Sequence, residues 1–191
     1  MREKIRNIIR DSVTSKALLL YDEDLLRKVG QSAQLILKTI KRGGKVLIFG
    51  NGGSAADSQH FAAELVGRFQ KERRALPAIA LTTDTSLLTA LANDYSFDIV
   101  FKRQLESLAT SKDVVFAIST SGRSKNVIEA VKFAKKLKIR TIGLTGKGPG
   151  ALARLADIAL VAPSGITARI QEIHILIIHI ICEILEDEKL R

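Results

Sequence analysis

Between residues 22 and 42 the apolar side chains Leu25, Val29, Ala33, Ile36 and Ile40 recur at three- and four-residue steps. This recurrence lays an apolar stripe along a helix, and Arg42-Gly43-Gly44 stops it. The segment before it, roughly 2–19, mixes charges with isoleucines at the same spacing and predicts a first helix. The pattern then changes to short unbroken apolar runs at Val46–Phe49, Ala78–Leu81, Val114–Ile118, Thr141–Leu144 and Ile158–Val161. Runs that do not alternate suit strands covered on both faces, as in a parallel sheet. Helical patterns at about 54–69, 85–92, 97–108, 123–137 and 168–187 separate them. Strand, loop, helix, strand is the doubly wound α/β arrangement. The chain therefore predicts one domain over 1–191, a three-layer, mainly parallel five-stranded sheet flanked by helices. An N-terminal helical segment, 1–43, is expected to pack on that domain or on neighbouring subunits. The charged stretch Gln70–Pro77 reads as an exposed loop.

The last helix carries Ile170, Ile173, Ile175, Leu176, Ile177, Ile178, Ile180 and Ile181 and is apolar nearly all round. Such a helix needs cover on all sides, and a small domain covers one face with its own sheet. The remainder predicts a subunit interface, so a homo-oligomer is expected.

Composition narrows the class. An apolar content of 46% over 191 residues excludes a disordered chain and suits a single core. The lone Cys182 cannot form an internal disulfide, which fits a reducing, cytoplasmic setting. The N-terminal MREKIRNIIRDSV lacks the apolar core of a signal peptide. The most apolar stretch, Ile173–Leu185, is too short to cross a bilayer and holds His174, His179 and Glu183, so no membrane partner is expected. The formal charge of +10 is spread out, as at Lys132, Lys135, Lys136, Lys138 and Arg140. A solvated lysine-rich surface accounts for it, as does attraction of an anionic ligand. Without a basic tail or aromatic-interleaved patch, no nucleic-acid partner is expected.

Four motifs carry candidate chemistry. Gly50-Asn51-Gly52-Gly53-Ser54 follows a strand and opens a helix, the place where open parallel sheets bind ligands. It lacks the spacing of a dinucleotide fingerprint and the lysine of a P-loop, so no nucleotide cofactor is expected. Ser119-Thr120-Ser121-Gly122-Arg123-Ser124 also follows a strand and opens a helix. Its four hydroxyls sit where free N–H groups and the helix dipole favour a phosphate. A helix cap would account for one hydroxyl, not four. His60 and Glu64 lie four residues apart on one helix face. That spacing suits a metal ligand pair, a base with its orienting partner, or a surface ion pair. Finally, Arg169-Ile170-Gln171-Glu172-Ile173-His174 is followed by His179. At about 100° per residue the two histidines point roughly 140° apart and do not share one ligand.

Together, Gly50–Ser54 with His60 and Glu64, Asn93-Asp94, Ser119–Ser124, and Arg169–Glu172 with His179 resemble the phosphoheptose isomerase family of the sugar isomerase (SIS) fold. The likeness runs nearly end to end. It implies conversion of sedoheptulose 7-phosphate, a ketose, to D-glycero-D-manno-heptose 7-phosphate, toward heptose for cell-surface polysaccharide such as lipopolysaccharide. It implies Glu64 as the base between C1 and C2 and His179 as its acid/base partner. It further implies one zinc per subunit on His60, Glu64, Gln171 and His179, and a homotetramer. Substrate contacts implied are Asn51, Gly52, Gly53, Ser54, Arg68, Asn93, Asp94, Ser119, Thr120, Ser121, Ser124 and Gln171. No role carries over to His174. Ala168 stands where some members of the family have an aspartate.

Two other readings use the same loops. Tetrameric SIS adaptors that bind the bacterial replication initiator share the glycine turn and the Arg-Ile-Gln-Glu run but lack the acid and imidazole found here at Glu64 and His179. A sugar-phosphate-binding regulator would use the phosphate loop without turnover, and no DNA-binding helix-turn-helix is apparent in the chain.

Overall fold

The apolar runs form strands β1 (Val46–Phe49), β2 (Ala78–Ala80), β3 (Val114–Ser119), β4 (Arg140–Gly146) and β5 (Ile158–Ala162) in the computed structural model, which describes residues 1–148 and 150–187. The order is β2-β1-β3-β4-β5 and every pairing is parallel, so a sheet expected to be mainly parallel is wholly so. The crossovers are helical: α3 (Gly53–Val66) after β1, α4 (Thr85–Asp94) and α5 (Val100–Leu108) after β2, α6 (Lys125–Lys136) after β3, α7 (Ala151–Leu155) after β4. Helices α1 (Arg2–Ala17) and α2 (Glu23–Lys41) come before the sheet, and α8 (Thr167–Asp187) closes the chain.

Alternation along the strands divides the core. Val46, Ile48, Val114, Phe116 and Ile118 face the layer of α2, α3 and α8. Leu47, Phe49, Val115 and Ala117 face the layer of α4 to α7. Aromatic pairs key the layers to the sheet, Phe61 edge-on to Phe116 at 5.0 Å and Phe49 stacked on Phe101 at 5.1 Å. The stripe of α2 is buried as its periodicity requires, and the helix is capped by the Asp22 side chain, which accepts from the Leu25 amide at 2.9 Å.

One expectation changes. The last helix is covered within one chain better than its composition implied, because α2 and α3 flank it above the sheet and no residue from Arg169 to Cys182 is fully exposed. The uncovered apolar surface sits on α1, which buries no residue fully among the described residues and leaves Ile5, Ile8, Ile9 and Val13 47–61% exposed. The stretch Gln70–Pro77 is the exposed loop expected, with only Arg73 and Leu76 not exposed, and it is pinned there: Leu76 is fully buried, and Arg73 donates to the Leu65 and Glu64 carbonyls at 2.9 and 2.5 Å. The short α7 carries too little pattern for the sequence to show.

The strand order places β2 on one side of β1 and β3 on the other. Loops following β1 and β3 therefore diverge to opposite faces and leave a crevice between them, the topological switch point of an open α/β sheet.

Candidate active site

Both glycine- and hydroxyl-rich motifs lie at this switch point. Gly52 has φ +57° and ψ −123°, a conformation open essentially to glycine alone, and it turns the chain from β1 into α3. A side chain on Gly53 would collide with Gln171, whose Nε2 lies 2.0 Å from where a Cβ would stand. Ser54 is buried beneath the turn, close to Gly50. Asn51 and Asn126, the latter buried in the first turn of α6, exchange two amide hydrogen bonds of 2.9 Å each and tie the two loops together.

In the second loop Ser119 ends β3, and its Oγ lies 3.0 Å from Ser124 Oγ. Gly122, at φ +63°, closes the turn by donating to the Ser119 carbonyl at 3.0 Å. Thr120 is half-buried, and Ser121 is exposed with its Oγ accepting from the Arg123 amide at 3.2 Å. Ser124 is the N-cap of α6, yet its side chain makes no capping bond. In the first turn the Val127 amide donates to Asn126 Oδ1 at 2.9 Å, which leaves the Lys125 and Asn126 amides to an anion, beside the Ser119–Ser124 hydroxyl pair and with no acidic residue in that turn to oppose it.

The second half of the site is built by α3 against α8. His60 Nε2 lies 3.0 Å from Glu64 Oε1 and 3.2 Å from His179 Nε2. The donor atoms of the three residues all lie within 4.8 Å of one another. Two imidazole nitrogens facing each other at 3.2 Å hold at most one proton between them. One shared proton satisfies the pair, as would a cation held by both lone pairs. Ligands about 2.0–2.1 Å from a tetrahedral zinc stand roughly 3.3 Å apart, close to the His60–Glu64 and His60–His179 separations. Three protein ligands leave a fourth position open, the pattern of a catalytic site.

Gln171 is the fourth ligand implied by resemblance. It sits against Gly53, whereas His179 is eight residues further along α8, about 12 Å of rise. Arg68 is exposed and pairs with Glu72 at 3.0 Å. Asn93 and Asp94 lie exposed at the end of α4 and bond to each other at 2.9 Å. Among the described residues, no hydrogen bond joins these three to either loop. His174 points away from His179 into the core, as the helical angle requires. It is fully buried, and burial lowers its pKa to about 4 while the nearby Thr145 backbone opposes the shift. Neither of its ring nitrogens has a partner of regular geometry among the described residues.

Sequence reasoning missed Asn126, whose role depends on an opposing loop 75 residues away. It also missed Asp57, although Asp57, His60 and Glu64 follow the one-face helical spacing that could have revealed it. Burial pushes the Asp57 carboxyl up to about 6 against the pull of His60. A concavity of about 710 Å³ between Ile79, Leu87 and Gln104 lies at the β2 edge and holds none of these groups.

Residues 14–146 match the SIS domain family. The chain is 57% identical over 165 residues to phosphoheptose isomerase 1 of Campylobacter jejuni, covering 86% of this chain and 89% of that protein. It is 51% identical to the phosphoheptose isomerase of Aquifex aeolicus over 187 residues, covering 98% and 97% respectively. The solved structure of the Neisseria gonorrhoeae phosphoheptose isomerase superposes with a TM-score of 0.92 at 44% identity, over 98% of this chain and 99% of that one. The shared wholly parallel sheet, the paired loops at its switch point and these relatives lead to one conclusion: this chain belongs to the phosphoheptose isomerase family of SIS-domain proteins.

Proposed function

We propose that the chain is an aldose–ketose isomerase that converts sedoheptulose 7-phosphate to D-glycero-D-manno-heptose 7-phosphate, feeding heptose into cell-surface polysaccharide in the cytoplasm. The observation that carries this reading is the His60–Glu64–His179 cluster, one carboxylate and two imidazoles converging on one point of a chain that also carries a phosphate-type loop. The exchange moves a proton from C1 to C2 through an enediol while a hydroxyl proton passes from O1 to O2. It needs one base at carbon and one group that handles oxygen charge. Glu64 is the base at C1 and C2. His179, across from it on α8, carries the proton between the two oxygens.

Ser119, Thr120, Ser121 and Ser124, with the first amides of α6, hold the terminal phosphate. Gly52 and Gly53 let the backbone approach the sugar, Asn51 is held ready by Asn126, and Gln171 serves the glycine turn. The seven residues from Gly53 to His60 set the loop end of the site about 10 Å from the reacting groups, a span suited to an extended seven-carbon sugar phosphate. His60, Glu64 and His179 would hold a zinc ion, which when bound polarises the substrate carbonyl. Arg68, Asn93 and Asp94 complete the contacts once subunits assemble into a tetramer. NMR of the zinc-supplied protein with sedoheptulose 7-phosphate tests the reading: anomeric signals of the aldose should grow in, and their absence would remove it.

A further inference from the structure

The last turn of α8 holds an acid where a helix disfavours one, since carboxylates are repelled by the carbonyl end of the dipole. Glu186 is nonetheless 2% exposed at its side chain. Its Oε1 accepts from the Phe69 amide at 2.8 Å, and its Oε2 accepts from the Gln70 and Lys71 amides at 2.9 and 3.0 Å. Arg73 Nε stands 3.4 Å from the same carboxylate with its side chain 12% exposed. Burial alone would push the Glu186 carboxyl up. The three amides and the guanidinium outweigh it and hold the group below its ordinary range, so it is charged.

The clamp has consequences at both reacting groups. Through its guanidinium Arg73 grips the Glu64 carbonyl at 2.5 Å and the Leu65 carbonyl at 2.9 Å, fixing the end of α3. The anchored amide of Phe69 sets that ring against His179, with centroids 5.3 Å apart and planes at 38°. The His60 ring packs on His179 at 5.1 Å. An imidazole with an aromatic ring beside it and a fixed nitrogen partner has little freedom to turn.

We propose that Glu186 and Phe69 are positioning residues for the isomerisation: the Glu186 carboxylate gathers the amides of residues 69–71 so that the Phe69 ring fixes the His179 imidazole toward His60 and Glu64. The inference rests on the isomerase reading. Outer groups that orient reacting side chains typically govern about 10–100-fold of activity, and they act on turnover more than on binding.

The test uses the full chain and three variants, Glu186→Gln, Phe69→Leu and Phe69→Tyr. Amide exchange at residues 69–71, the imidazole NMR signals and titration of His179, and kcat separately from KM are read for each. Glu186→Gln should speed exchange at 69–71, shift the His179 signals and lower kcat about 10–100-fold, leaving KM within about twofold. Phe69→Leu should shift His179 and lower kcat without speeding exchange, and Phe69→Tyr, which keeps the ring, should restore both. Faster exchange with His179 and kcat unchanged would make the clamp a loop anchor only and overturn the proposal. Unchanged exchange would overturn the clamp itself. If Glu186→Gln does not fold, the comparison of Phe69→Leu with Phe69→Tyr decides. A wild-type chain without isomerase activity would defeat the functional reading, while the His179 signals would still report on positioning.

Discussion

Glu64 and His179 both meet His60, and the proposed reaction gives each a separate job at the sugar's C1–C2 bond. Glu64→Gln keeps the shape and a weak ligand but removes the base. It should cut turnover about 10²- to 10⁴-fold, with substrate binding little changed. His179→Asn should do nearly the same. Residues that act as a unit are non-additive, so the double variant should be little worse than either single one. Steady-state rates with near-normal turnover in Glu64→Gln would point to another base. Two further side chains tie stability to pH with opposite signs. His174 titrates near 4 in the fold and near 6.5 unfolded, so the unfolded chain binds more protons between those values. Its contribution is present above the unfolded value and lost as pH falls toward 4, roughly 3 kcal/mol for a buried group. Asp57 is the reverse: raised from 3.8 to about 6, it favours the fold at low pH and loses that contribution as pH rises through 6. Because it is only half-buried, solvent screening leaves about 1 kcal/mol of this. Urea midpoints should therefore show His174→Leu flattening the acid limb, and Asp57→Asn stabilising the protein at pH 8 but not at pH 4.

At the level of elements, the proposed reaction gives the two loops distinct work. In the proposed reaction the hydroxyl loop holds the phosphate, which takes no part in bond making. Ser121→Ala with Ser124→Ala should thus raise KM strongly while kcat changes little, because uniform binding energy is lost. An unchanged KM for the phosphorylated sugar would remove the loop from that role. All five strands and the long helices were legible, because unbroken apolar runs and a 3.6-residue period are local signals. The hydroxyl loop was legible too, since its residue types and its place after β3 both point to an anion. What stayed hidden depends on pairing distant in sequence. Nothing near His60 announces that His179, 119 residues on, meets it, and only the likeness to a family supplied that. Asn126 was invisible for the same reason. Gln171 entered the metal set by resemblance alone, and its contact with Gly53 across the switch point had no local signal either. Gln70–Pro77 is the exposed loop its charge suggests, but that charge gave no sign of the anchors at Arg73 and Leu76.

At the level of the whole molecule, α1 is held to the rest largely by polar contacts: Ser12 to Glu172 at 2.5 Å, Lys16 to Glu172 at 3.6 Å, and Arg169 to the Ile8 carbonyl at 2.9 Å. Its isoleucines face outward. Leaving that face to water would be costly, so a second copy of the chain is its natural cover. Light scattering should give a mass well above the 20.9 kDa of one chain, and Ile9→Glu with Val13→Glu should return it to that value. A monomeric wild type would rule the assembly out. The amide pair that bridges the switch point also bears on how the protein ages. Asn51 precedes Gly52, a sequence in which the glycine nitrogen can attack the side-chain amide and turn it into a carboxylate, one reason asparagine counts as thermolabile. Held by two hydrogen bonds to Asn126, that amide is kept from swinging back onto its own chain. Asn126→Ala should release it. Mass spectrometry of protein stored in warm alkaline buffer should then find isoaspartate at Asn51, with activity decaying in step as a negative charge accumulates where an anionic sugar must enter.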